Sequence, residues 1–301
     1  MDCIKNILSV LKETKLNVRD SISEYNKKEK QLYQESVDDS SIIEKAISEV
    51  VERTKKPVVN IKLSNGYIAN ELDSFVLGYP KYVDGEIPTM SDGRQMRFMA
   101  QINFSEIHGL PDFPTSGLLQ IWVQSDKYKI FRNFKTESPC KVIYIPDPSN
   151  NNMSNIEFDE SIYQDCADFP FINDGDIAKN YKMLFSDVTE ERISTFAWDI
   201  LYNLISAEYK KHGIPNIPPE DIDKLHDDPR LKEIYGTKIG GWPAFIQDGI
   251  KDPDIHDTLL LQIDSTEQFM WGDSGIGNFF INHNDLVNKK FDNVEFYWDC
   301  Y

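Results

Sequence analysis

The residues best suited to chemistry gather in one stretch of this 301-residue chain. Leu259-Leu-Leu-Gln-Ile-Asp264 is an apolar strand, and Met270-Trp-Gly-Asp-Ser-Gly-Ile-Gly-Asn-Phe-Phe-Ile281 adds a glycine turn and a second apolar strand. Gly272-Asp-Ser-Gly275 copies the string around the nucleophile of chymotrypsin-like proteases. Those enzymes need a histidine and then an aspartate upstream of the serine, and here Ile276-Gly277 follows where Gly-Pro would. Ile276 also occupies the closing-glycine position of a GxSxG elbow. The string reads as a turn, with glycines supplying positive φ and Asp273 bonding nearby amides. Asp264, Asp273, His283 and Asp285 fall within a short span, but no calcium-loop spacing accompanies them. His283-Asn-Asp285 reads equally as the N-cap of a short helix. Gly275-Ile-Gly277 lacks the rest of a dinucleotide fingerprint. Neither Cys140 nor Cys166 has a histidine partner that spacing identifies. No catalytic residue, metal or cofactor is expected from these patterns.

A fainter copy of the stretch lies upstream. Gly78-Tyr-Pro80 matches Gly241-Trp-Pro243, and Ala100-Gln-Ile-Asn103 matches Leu261-Gln-Ile-Asp264. Gly117-Leu-Leu-Gln-Ile121 is paired with Gly277-Asn-Phe-Phe-Ile281, and Val142–Ile145 with Val294–Trp298. Strand alternation places Gln101 and Asn103 on one face, and Gln262 and Asp264 on the equivalent face. If the copies face one another, these pairs line a common cleft; otherwise each glutamine satisfies backbone groups. Trp242 and Trp271 stand beside glycines, near Gln247, Asp264 and Asp273 in sequence. They suit a ligand or peptide groove, or else plug the ends of the β core. The candidate ligand-binding set is Gln101, Asn103, Trp242, Gln247, Gln262, Asp264, Trp271 and Asp273.

The elements around these residues follow from periodicity. Residues 2–14 read as an amphipathic helix, and 13–39 as a polar, lysine-rich connection or solvated helix. Ile43, Ala46, Ile47, Val50 and Val51 form one helical face, with Ser41 and Glu44 at capping-box spacing and Pro57 past the end. Val59, Ile61 and Leu63 then alternate as a strand closed by Ser64-Asn-Gly66. Further strands are expected at Phe98–Phe104, Leu118–Val123, Tyr128–Phe134 and Lys141–Ile145. Asp147–Asn152 reads as a turn-forming insert, and residues 189–211 as the strongest helix, with a stripe from Ile193 to Ile205. Gly213 and Pro215 end it, a proline-rich acidic passage runs to Pro229, and β character returns from Ile239.

Asp plus Glu outnumber Lys plus Arg by 50 to 32, for a formal charge of −18. Such a chain repels phosphate backbones and anionic membranes, and accommodates a basic protein or cationic ligand more readily. The four cysteines are far apart and show no CxxC spacing, so neither a disulfide framework nor a zinc site is indicated. No signal peptide or membrane span is apparent, and a cytoplasmic location is expected. Composition leaves the oligomeric state open.

Several of these strings together resemble the YwqG-like family, bacterial domains of unknown function. They are Ile239-Gly-Gly-Trp-Pro-Ala-Phe-Ile-Gln247, Leu259–Asp264, Met270-Trp-Gly-Asp273 with Asn278–Ile281, and Cys300-Tyr301. Asp73-Ser-Phe-Val-Leu-Gly-Tyr-Pro80, Met99–Glu106 and Leu110-Pro-Asp-Phe-Pro114 agree as well. The likeness runs from about Val58 to Tyr301. Leu77 departs from it where a second glycine is common, and Thr237 lies near where a histidine often precedes the second motif. The resemblance implies an α+β fold with internal duplication and no settled activity. The expected organisation is an N-terminal helical extension over 1–56 and a duplicated β-rich domain over 57–301. Within that domain, two pseudo-symmetric sheet units at 57–146 and 236–301 flank an insert, 147–235, carrying one central helix. The expected role is a non-enzymatic binding or interaction module, in one version an immunity-type binder of a basic protein. The alternative is a hydrolase-type enzyme using acids and amides between the two repeats.

Overall fold

In the computed structural model, residues 39–66, 68–83, 85–124, 140–148, 159, 171–172, 179–247 and 256–301 are described, and every structural statement below concerns these. The expected helix over 2–14, nearly all of the connection over 13–39, the expected strand at Tyr128–Phe134 and residues 149–152 of the turn-forming insert lie outside them.

The alternating apolar runs become strands and the 3.6-period runs become helices. In chain order they are α1 (Asp39–Arg53), β1 (Lys56–Ser64), β2 (Phe75–Val76), β3 (Arg97–Asn103), β4 (Leu118–Val123) and β5 (Cys140–Ile145). Next come β6 (Phe171–Ile172), β7 (Tyr181–Phe185), β8 (Thr189–Glu191), α2 (Trp198–Lys211) and α3 (Pro219–Asp227). The chain ends with β9 (Lys238–Gly240), β10 (Thr258–Asp264), β11 (Phe269–Met270), β12 (Ile276–Ile281), α4 (His283–Val287) and β13 (Val294–Asp299).

One long antiparallel sheet dominates, in the order β13-β12-β10-β9-β1-β7-β2-β3-β4-β5, with β8 also paired to β1. Its two outer strands come together. The Cys140 thiol of β5 donates to the Val294 carbonyl of β13 at 3.3 Å, and Tyr144 meets Phe291 at 5.3 Å between ring centroids. The result is a nearly closed, barrel-like, mostly β fold, whose interior is filled by Val59, Ile61, Ile102, Ile121, Ile263, Phe279 and their neighbours.

The two flanks of the sheet follow matching registers. Phe75 opposes Gln101, which opposes Gln120; Lys238 opposes Gln262, which opposes Asn278. A bulge falls between Phe98 and Ala100 in one flank and between Leu259 and Leu261 in the other, bending both strands at the same step. Ser74 Oγ accepts the Asn103 N–H and Thr237 Oγ1 accepts the Asp264 N–H. Leu77 and Gly78 have φ of 62° and 67°, Gly240 and Gly241 72° and 74°. Leu77 therefore adopts a left-handed backbone that glycine adopts more easily. The registers correct one sequence pairing by two residues: Gly117 corresponds to Gly275, and Gln120 to Asn278. In the centre, Ile61↔Phe185 and Leu63↔Met183 are placed evenly about Lys62↔Leu184. β1 thus lies beside β9, and β7 beside β2.

A second core joins α1 (Ile43, Ile47, Val50) to α2 (Leu201, Ile205, Tyr209), together with Ile193, Leu225 and Trp242. The helix expected over 189–211 is shorter than its pattern. Residues 189–191 instead pair with β1, Ser194 caps a single 3-10 turn, and α2 starts at Trp198. Strand pairing at Glu191 outcompetes local helical periodicity, and Ile200 of the expected stripe is 44% exposed. The acidic passage holds an unexpected helix, α3, with Pro219 in its first turn followed by Glu220 and Asp221. The short helix near His283 is present, with Asn282 rather than Asp285 as its cap. No helix among the described residues is long and apolar enough to cross a membrane.

Candidate functional site

Both expected glutamines are fully buried on the sheet face away from the barrel core, and each braces a loop. Gln101 Nε2 donates to the carbonyls of Glu71 (2.8 Å) and Asp73 (2.9 Å), while its Oε1 accepts from Gln120 Nε2 (2.9 Å). Gln262 Oε1 accepts the Ala244 N–H (2.8 Å), and its Nε2 donates to the Gly236 carbonyl (2.7 Å). Asn278 Nδ2 donates to the Ala244 carbonyl at 2.8 Å. Asn103 donates to the Leu72 carbonyl and accepts the Ser105 N–H. Each flank thus uses side-chain amides to pin the loop carrying its glycine–proline motif. β3 and β10 are separated by β9, β1, β7 and β2, on the order of 20 Å along the sheet. The two pairs therefore do not meet in one cleft.

The tryptophans plug the fold. Trp242 Nε1 donates to the Thr54 carbonyl (2.8 Å), and the Lys56 ammonium sits 4.0 Å from the ring centroid. Trp271 is fully buried against Phe296 and Trp298. A Cβ on Gly277 would stand 2.4 Å from the Trp271 ring, so β12 must present a glycine there. The Gly272–Gly275 string is a turn, closed by the Gly275 N–H on the Trp271 carbonyl at 2.8 Å. Asp273 is exposed on that turn, and its carbonyl accepts the Tyr301 N–H.

The remaining candidates converge on one end of the second flank. Asp264 Oδ2 accepts the Gly236 N–H at 2.7 Å. Burial raises its carboxyl above the usual range, opposed by backbone bonds from Gly236 and Ser265 and by the Lys238 charge. Asp299 Oδ2 accepts the N–H groups of Ile246 and Gln247, and Gln247 Nε2 donates to the Cys300 carbonyl. Tyr235, 46% exposed, packs edge-on against Phe196, which packs edge-on against Phe245. The Tyr235 phenol titrates above its ordinary value. Partial screening from water is the first cause, and Glu233, Tyr301, Asp264 and Asp299 add to it.

Beneath this end lies a feature that pattern reading passed over. Lys238 Nζ is wholly buried 2.6 Å from Glu191 Oε1 and also donates to the Ile234 carbonyl. Glu191 Oε2 accepts the Trp242 N–H at 2.7 Å. Burial lowers the Lys238 pKa, against the pull of Glu191 and Asp264. One lysine beside one isoleucine looks like an ordinary half-buried strand. The signal was in the repeat: pairing Gly78 with Gly241 sets Lys238 against Phe75, a charge where the other flank is apolar. Glu191 and Tyr235 carried no comparable signal.

Among the described residues, no group of three or more His, Cys, Asp or Glu is placed to hold a metal ion. None of the curated proteins matches the chain. Residues 74–300 match the family described as domain of unknown function DUF1963, and with that span covering most of both flanks the chain belongs to this family.

Proposed function

We propose that this chain is a binding module for a cationic partner, a basic protein segment. One observation carries the reading: an exposed aromatic ring, Tyr235, adjoins the Asp264 carboxylate, which takes the N–H of the next residue, Gly236, on a chain of net charge −18. Such a surface attracts cations at long range and offers them a ring face at contact. An immunity-type protein that neutralises a basic toxin is its specific form. The hydrolase alternative needs acids and amides facing one another across the two flanks. Gln101 and Asn103 stand four intervening strands from Gln262 and Asp264, and both glutamines are occupied by loop carbonyls and amides.

The matching registers support descent of the two flanks from one duplicated unit. We divide the chain accordingly, with one revision: β1 counts with the second unit and β7 with the first. On this division α1 belongs with the body of the fold, because it shares a core with α2 and Trp242. The YwqG-like motifs fall almost wholly within the family-matched residues and support placing the chain in that branch. Four cysteines set far apart with no CxxC spacing support a cytoplasmic location.

The test is titration calorimetry of the purified chain with poly-L-lysine at 20 mM and 200 mM salt, with poly-L-glutamate as control. Binding of poly-L-lysine that weakens with salt is the expected result. No binding at 20 mM salt sinks the proposal.

A further inference from the structure

The matching registers supply an internal control, because each position in one flank can be compared with its counterpart in the other. Across most of the sheet the paired residues agree in kind: Ser74 with Thr237, Val76 with Ile239, Gln101 with Gln262, Ile102 with Ile263. At one end they diverge together. The first flank has Leu72, Asn103 and Ile145; the second has Tyr235, Asp264 and Asp299. The last pair follows from Leu118↔Ile145 and Ile276↔Asp299. In the first flank, Leu72 and Ile145 pack with Tyr82 and Leu118, closing that end with apolar side chains. In the second, Tyr235 remains 46% exposed, braced edge-on by Phe196, and Asp264 is anchored to the adjacent Gly236 N–H.

The fold does not require this difference. Asn103 does its bracing without a charge, and the half-buried Asp264 carboxylate carries a desolvation cost that a neutral amide would avoid. A costly charge beside an exposed ring, found in one flank and not the other, is the mark of a surface kept for binding. We propose that this end of the second flank holds a lysine ammonium or arginine guanidinium of a basic partner, with Tyr235 supplying the ring face and Asp264 the counter-charge. Asp299 is held by the Ile246 and Gln247 N–H groups and positions that loop while adding negative field. Glu233 adds to the same field. A phosphate or carboxylate ligand would meet repulsion from all three acids.

This assignment rests on the cation-binding reading above, and the experiment separates the two. Hexalysine is titrated by calorimetry, at 20 mM salt, into the full chain and three variants whose thermal midpoints are checked first. Tyr235→Leu and Asp264→Asn copy the first flank's own residues into the second. Asp223→Asn removes one exposed charge from α3 as a control. The expected result is roughly two- to fivefold weaker binding for each of the first two variants and an unchanged value for Asp223→Asn. If Asp223→Asn weakens binding as much as Asp264→Asn, the site is overturned while general cation binding survives. If Tyr235→Leu and Asp264→Asn bind like the parent chain, the site is likewise overturned. If hexalysine fails to bind the parent chain at all, both readings fall.

Discussion

Removing one partner of the Lys238–Glu191 pair should cost far more than any surface charge. The ammonium is 0% exposed and the carboxylate 4%, so neither survivor can turn to water. Lys238→Met leaves Glu191 charged and buried with only the Trp242 N–H to satisfy it. Glu191→Gln keeps an acceptor for that N–H but strands the ammonium on the Ile234 carbonyl. Breaking a buried pair this way costs about 3–5 kcal/mol. With a urea slope of about 3 kcal/mol per M for a chain of this size, the midpoint should fall by roughly 1 M or more. The double variant should recover most of the loss, because Phe75 at the corresponding position shows that this part of the sheet accepts an apolar side chain. Urea unfolding followed by the fluorescence of the buried Trp122 and Trp271 gives the double-mutant cycle directly. Single variants that each cost under about 1 kcal/mol, or a double variant that loses the full sum of both, would refute the reasoning.

Other consequences can be measured on the same chain. Burial lifts the folded Asp264 carboxyl above its ordinary 3.8, so the folded state holds more protons than the unfolded one between those values, and stability falls as pH rises through that window. Asp264→Asn should therefore be more stable than the parent at pH 7, with the gain gone below pH 3.8 in paired urea titrations. Gly277→Ala drives a Cβ into the Trp271 ring and should cost about 1–3 kcal/mol, read as a lower thermal midpoint with a changed near-ultraviolet tryptophan signal. Gln262→Leu leaves the Ala244 N–H and Gly236 carbonyl without their side-chain partner, at about 2 kcal/mol, and hydrogen exchange at Ala244 should quicken while exchange in β4 stays unchanged.

What the sequence made legible was local. Val59, Ile61 and Leu63 alternate, and β1 follows; Gln101 and Gln262 sit at matched steps of matched strands, and they do matched work. What it hid was decided by distant partners. Residues 189–193 carry helical spacing, yet Glu191 is claimed by Lys56 across a strand and by Lys238 from another. The bulges at Met99 and Leu260 lie inside unbroken apolar runs, and they show only where the neighbouring strand fails to keep step. The placement of β1 beside β9 and β7 beside β2 depends on pairings across more than a hundred residues. The candidate site divided along the same line: the polar residues were visible, but whether each faced a loop carbonyl or solvent was not.

That division bears on where function should be sought in a sheet of this kind. A buried glutamine found in both flanks is explained by what both flanks need, a pinned loop. A residue found in only one flank needs another explanation. Lys238, Tyr235, Asp264 and Asp299 all belong to this second class, and all lie at or under the same end of β10 and β13. Phe75, Leu72, Asn103 and Ile145 show that the same backbone closes without them. Lys238 and Asp299 also hold neighbouring groups in place, so replacing each of the four with its counterpart separates, one residue at a time, what serves the fold from what serves the proposed binding.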